Sequence, residues 1–146
     1  MSSKSLLHGT VGFVVGAAVA LLLFHRKPEP LITWPVSVGD ATNPDDPARV
    51  IPADLRMAPS DVTQWRAYSK RQVYIEFENQ IFAGMTYQSQ TKRWRIGCPP
   101  SDVCNSNSLL STAPANVWHK YWQGLADPNA PSAIRWADGR IMIVRP

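Results

Sequence analysis

The sequence predicts an α+β domain carried behind a single N-terminal transmembrane helix and a Pro-rich spacer. Three observations predict it. Leu6 to Phe24 run through 19 residues without a formal charge. Seven of the 13 prolines crowd into residues 28–59. From Ser60 onward, segments of period-2 hydrophobicity are interrupted by two segments with the period of a helix. The chain therefore divides into 1–27 (membrane anchor with a basic flank), 28–59 (spacer) and 60–146 (globular domain).

The apolar run, LLHGTVGFVVGAAVALLLF, matches the roughly 30 Å of a bilayer's hydrocarbon core at about 1.5 Å per helical residue. One isolated segment satisfies its backbone groups in lipid only as a helix. Gly12, Gly16 and Ala20 fall four apart and give that helix a small-residue face for close packing against another helix. The Ala-x-Ala at Ala18 to Ala20 lies inside the run, and His25, Arg26 and Lys27 form a poor exit for signal peptidase. An uncleaved signal-anchor is expected. With His8, Thr10, three glycines and three alanines, its composition is similar to the signal-anchor-release segments of phage lysis proteins, which leave the membrane on triggering. That resemblance stops at the anchor, because no lysozyme-like spacing of Glu, Asp or Cys and Thr follows.

Orientation rests on two opposed signals. One lysine precedes the run and two basic residues follow it, which alone places the C-terminal side in the cytoplasm. Against this, the tail before the run is only five residues, and Cys98 and Cys104, the only two cysteines, bracket a Pro-rich loop. A local disulfide suits that spacing and requires an oxidising compartment. The expectation is a single-pass protein of the inner (cytoplasmic) membrane with its domain in the periplasm.

The net charge of +4 is unevenly spread. Residues 1–27 hold Lys4, Arg26 and Lys27 and no acid, residues 28–59 are net acidic, and residues 60–146 carry ten bases against six acids. Part of the basic pI thus reports membrane flanks. Only the modest excess on the domain is left to recruit an acidic partner.

In the spacer, proline fixes φ and removes backbone donors, so an extended, semi-rigid segment is expected. Trp34 either sits at the membrane interface or docks onto the domain.

Within 60–146, Ser60 is positioned to cap a helix carrying Val62, Trp65 and Tyr68 on one side. Val73, Ile75 and Phe77 alternate with Tyr74, Glu76 and Glu78, as in a strand with one buried face. Ile81–Gln88 and Lys92–Gly97 read as a hairpin. Thr112 caps a second helix whose stripe is Trp118, Tyr121, Trp122 and Leu125. Asp138-Gly139 between Ile134–Trp136 and Ile141–Val144 reads as a hairpin turn. Two helices and about five strands give a small antiparallel-sheet domain with a tryptophan-rich core.

Candidate chemistry is thin. Glu76 and Glu78 share a strand face, but it is the solvent face. His119 reads as an exposed helix histidine without a partner. No metalloprotease, nucleophile-elbow, phosphate-loop or dinucleotide motif is present. No metal or cofactor is expected. Lys92-Arg93-Trp94-Arg95 is the sharpest local feature: on a strand, Arg93 and Arg95 face away from Trp94. With Arg135 and Arg140, and with Lys70 or Arg71 as neighbours, they form a candidate basic binding face.

The functional expectation is a membrane-anchored, non-enzymatic binding or assembly protein of the cell envelope or of a phage-associated envelope complex. Its expected partners are membrane lipid and another envelope protein, or a second copy of itself. One alternative is a small envelope hydrolase or lysis factor using Glu76, Glu78, Asp102 or His119. Another is a cytoplasmic-facing nucleic-acid tether.

Overall fold

The computed structural model describes residues 31–130 and 133–145. Those residues form ten strands and no helix: β1 (Thr33–Val38), β2 (Val50–Ile51), β3 (Asp54–Met57), β4 (Val62–Ala67), β5 (Val73–Phe77), β6 (Thr86–Gln88), β7 (Arg93–Arg95), β8 (Val103–Asn105), β9 (Trp118–Ala126) and β10 (Ile134–Ile143). They build a four-stranded sheet ordered β2-β1-β4-β8 and a six-stranded sheet ordered β3-β10-β9-β5-β7-β6. Most neighbours are antiparallel, but β1 runs parallel to β4 and β3 parallel to β10. The domain is all-β, which corrects the α+β expectation.

The core lies between the two sheets. Val36, Val38, Trp65 and Ala67 supply one side, and Leu55, Met57, Ile75, Phe77, Tyr121, Leu125, Ile141 and Ile143 the other. Trp65 is the wedge. Its ring meets Phe77 and Tyr121 edge-on at centroid distances of 6.3 and 5.8 Å, while Phe77 stacks on Tyr121 at 5.3 Å.

Both expected helices are strands, for related reasons. In β4 the buried set is Thr63, Trp65 and Ala67, a period of two. Val62, Trp65 and Tyr68 imitate a helical stripe only because Thr63, a β-branched residue suited to a strand, was not counted as inward. In β9 the inward residues are His119, Tyr121, Gln123 and Leu125, and the outward ones include Trp118, Lys120 and Trp122. Two polar residues point in and two tryptophans point out, which inverts the usual signal. Gln123 is stabilised inside by donating from Nε2 to the carbonyls of Pro47 (3.0 Å) and Asp138 (3.3 Å).

The expected hairpin at Asp138-Gly139 is also absent: β10 pairs with β9 without interruption from Ile134↔Ala126 to Met142↔Trp118. Glycine is required there for space. A Cβ on Gly139 would lie 2.6 Å from the Tyr121 ring, so the tyrosine lies across this residue. Gly124 plays the same part on the opposite face, where a Cβ would meet the Trp136 ring at 2.8 Å.

The Pro-rich stretch contributes β1, β2 and β3 to the sheets from residue 33 onward, so it is not a free spacer over those residues. Pro35 is tolerated because β2 pairs only with Ser37 and Val38, leaving β1 without a second neighbour at the proline. Trp34 docks on the domain, its Nε1 donating to Asp61 Oδ2 at 2.8 Å.

Cys98 and Cys104 form a disulfide. It closes the loop between β7 and β8 and places Cys104 opposite Trp65 on the buried side of the small sheet. The expected anchor over residues 6–24, with Gly12, Gly16 and Ala20, lies outside the described residues. Among the described residues, no helix is long and apolar enough to cross a membrane.

Candidate binding face

Strand alternation gives the six-stranded sheet an outer face opposite the core. The register places Asp54 and Arg56 of β3 there, with Trp136, Asp138, Arg140 and Met142 of β10, Trp118, Lys120 and Trp122 of β9, Tyr74 and Glu76 of β5, and Arg93 and Arg95 of β7. Four aromatic rings and five cations thus share one surface.

They interleave. Trp118 lies beneath Arg140 and Arg56, with guanidinium carbons 5.0 and 5.8 Å from the ring centroid. Trp122 lies beneath Arg93 at 3.5 Å and Lys120 at 5.2 Å. Arg95 reaches over Tyr74 and Trp136 at 5.6 and 5.9 Å. A cation over a ring face is attracted by the ring quadrupole, by about 0.5–1 kcal/mol where exposed. Each such contact also restrains a long side chain that would otherwise sample many rotamers.

Glu76 is the exception to the open character of this face. It sits on the outer side yet is fully buried, and Arg95 donates to its Oε1 from both Nε and Nη2, at 2.9 and 2.7 Å. Arg93 Nη1 approaches Oε2 only to 3.8 Å, and Oε2 accepts no hydrogen bond from a described residue. The carboxylate is thus a buried counter-ion under two arginines. The solvated carboxylate expected from alternation is corrected: the strand face was read properly, but the arginines and Trp122 cover it. At the edges of the face Arg140 pairs with Asp54 at 2.7 Å and Lys120 with Asp138 at 3.3 Å.

Of the candidate basic residues, Arg93, Arg95 and Arg140 come together on this face. Lys92 occupies the β6–β7 turn with a positive φ of 56°. Arg135 alternates to the other side and donates to the Asp45 carbonyl at 3.3 Å. Arg71 pairs with Asp45 at 2.7 Å, a hydrogen bond that holds the Asp45 carboxyl below its ordinary value. The candidate acid–base residues are not brought together. His119 is buried on the inner side of β9, its Nε2 2.8 Å from the Pro114 carbonyl, rather than exposed on a helix. Glu78 lies exposed just past β5, and Asp102 stands in the loop entering β8.

Sequence reading missed Arg56, Tyr74, Trp118, Lys120, Trp122 and Trp136. The signal was present as Trp118-x-Lys120-x-Trp122 and Trp136-x-Asp138-x-Arg140, aromatic and charged residues alternating at i and i+2. It was obscured because tryptophan was assigned to the core. Among the described residues there is no pocket and no cluster of three metal-ligating side chains.

No protein-family model matches this chain, and no curated protein matches it.

Proposed function

We propose that this chain is a membrane-anchored, non-enzymatic binding or assembly protein of a cell envelope or a phage-associated envelope complex. Its β domain recognises an acidic surface of another protein through the outer face of the large sheet. The observation that carries the reading is the set of cations held over indole and phenol rings on an open surface. Their side chains are already restrained, so docking orders little that is not already ordered. Tryptophan and arginine are also the residues enriched at the energetic centres of protein interfaces.

The acids on the face favour a protein partner over a nucleic acid. Asp54 and Asp138 flank the cations, and a polyphosphate backbone would be repelled by both. A protein surface carrying charges of both signs can match them. A hydrolase reading has less support, because Glu76 is held by Arg95 and His119 occupies the opposite side of the sheet.

The apolar run of residues 6–24 supports membrane attachment, which confines the search for a partner to a thin layer. The Cys98–Cys104 disulfide supports an oxidising compartment, and hence a periplasmic domain.

The test is photo-crosslinking from position 120 in native membranes, with a photoreactive residue replacing Lys120. The expected result is a discrete protein adduct that Arg93→Glu or Arg140→Glu weakens. A nucleic-acid adduct, or no adduct, would contradict the proposal. An activity abolished by Glu76→Ala and His119→Ala would favour the hydrolase instead.

A further inference from the structure

Eight large apolar residues are exposed among the described residues, and five of them (Leu31, Ile32, Val117, Trp118 and Val144) lie at one end of the domain. The hydrogen bonds establish that they share an end. The Ile32 carbonyl accepts from Val62 N at the start of β4, and Val144 N donates to the Met57 carbonyl at the end of β3. The short turn Ala58–Asp61 joins those two strand ends, with Asp61 Oδ2 accepting from Ala58 N at 2.9 Å. Asn116 N donates to the Ile143 carbonyl, which sets Val117 and Trp118 beside the end of β10. Tyr68 belongs to the far end, where its N–H donates to the Val38 carbonyl.

Charge distinguishes this end further. Residues 31–33, 56–62, 114–118 and 142–145 include Arg56 and Arg145 and a single acid, Asp61. Asp61 is buried and accepts from Trp34 and Ala58, so it presents no negative charge outward. Exposed apolar residues with a tryptophan and a cationic rim are the composition of a surface that seats in the headgroup region of a bilayer.

Chain length supplies the reason for a lipid rather than a protein occupant. Phe24, the last residue of the apolar run, precedes Leu31 by seven peptide steps, a reach of at most about 25 Å. His25, Arg26 and Lys27 fall within that stretch. An anchor in residues 6–24 would join the domain through Leu31, within this end. We propose that the end bearing Leu31, Ile32, Val117 and Val144 rests on an anionic lipid surface. This orients the domain so that the outer face of the large sheet stands at its side, accessible to a neighbour in the plane of the membrane. The inference rests on the membrane-anchored reading above.

The experiment uses the full chain reconstituted in vesicles of equimolar phosphatidylcholine and phosphatidylglycerol, with a photoreactive residue placed at Val117, Val144 or Tyr68 in turn. Flotation first reports attachment, and mass analysis then reports lipid adducts. The expected result is flotation of all three variants, with lipid adducts from positions 117 and 144 exceeding those from 68 by about tenfold, reflecting an interface only about 5–10 Å deep. Flotation with equal or absent adducts at 117 and 144 would overturn the seating while leaving attachment intact. Adducts from 117 or 144 to a second copy of the chain would overturn it in favour of a protein contact. Failure to float would overturn both the seating and the membrane-anchored reading.

Discussion

The two faces of the six-stranded sheet use the same residue types to opposite ends. On the inner face, Tyr121 and Phe77 pack against Trp65 of the small sheet, ring against ring, out of reach of water. On the outer face, Trp118, Trp122, Tyr74 and Trp136 meet guanidinium and ammonium groups. The inner rings are stabilised by apolar area removed from water, which does not depend on charge or salt. The outer rings are organised by cations, which are screened and replaceable by a partner's charges. Tryptophan therefore does not by itself identify a core; what its strand neighbours carry two residues away does.

The largest effect that sharpens this comparison is expected at Trp65. Trp65→Ala opens a cavity between the sheets and should cost about 3–5 kcal/mol, read from denaturant unfolding. Trp122→Ala on the outer face should cost less by about 2 kcal/mol, because its ring is half-exposed and its contacts are partly replaced by water. Equal losses would mean that the outer aromatic residues are a second core rather than a surface layer.

Glu76→Gln comes next. It leaves Arg93 and Arg95 without their buried counter-ion and should destabilise by about 2–3 kcal/mol. The partial exposure of both arginines, whose side chains are 26% and 30% accessible, keeps the loss below that of a fully buried pair. A neutral outcome would show that the arginines hold their places by stacking alone.

Tyr121 offers a prediction that depends on pH. Burial pushes its hydroxyl up to about 12, and that oxygen finds no hydrogen-bond partner among the described residues. The phenol is thus protonated in the folded chain at pH values where an unfolded chain, with an ordinary value near 10, has lost its proton. The unfolded state then binds fewer protons, so stability falls as pH rises. The contribution is complete below about pH 10, and about 2–3 kcal/mol of it is lost by about pH 12. Tyr121→Phe should be nearly neutral at pH 7 and should remove that component of the alkaline decline, as followed by thermal unfolding across the pH range. Asp40 behaves with the opposite sign. Hydrogen bonds from the Thr42 hydroxyl and the Asn43 backbone, with Arg49 beside it, lower its carboxyl, so its contribution is present above the unfolded value and fades as pH falls through the folded one.

How much was legible in the sequence follows from where polar and apolar residues point. β5 was readable because Val73, Ile75 and Phe77 all face the core in strict alternation. The cysteine pair was readable from its short Pro-rich spacing. β9 was not, because His119 and Gln123 face inward and are satisfied by carbonyls of Pro114 and Pro47 that no local pattern reveals. β10 was misread because Gly139 looks like a turn residue when only its short sequence context is visible; Tyr121, 18 positions earlier, supplies its reason. Of the basic residues singled out in the sequence, Arg93, Arg95 and Arg140 share the outer face. Its tryptophans, Trp118, Trp122 and Trp136, were hidden by counting the tryptophans of 60–146 as core.

The most direct test of the central claim is titration of the full chain, in phosphatidylcholine nanodiscs, with a fluorescent, net-acidic peptide of interspersed Glu and Lys and with oligothymidylate. The account predicts that the peptide binds, that added salt weakens it, and that Lys120→Glu with Arg140→Glu lowers its affinity by about tenfold or more, as close interfacial charge pairs do. Peptide binding unaffected by those substitutions, or preferential binding of oligothymidylate with a steep salt dependence, would contradict it.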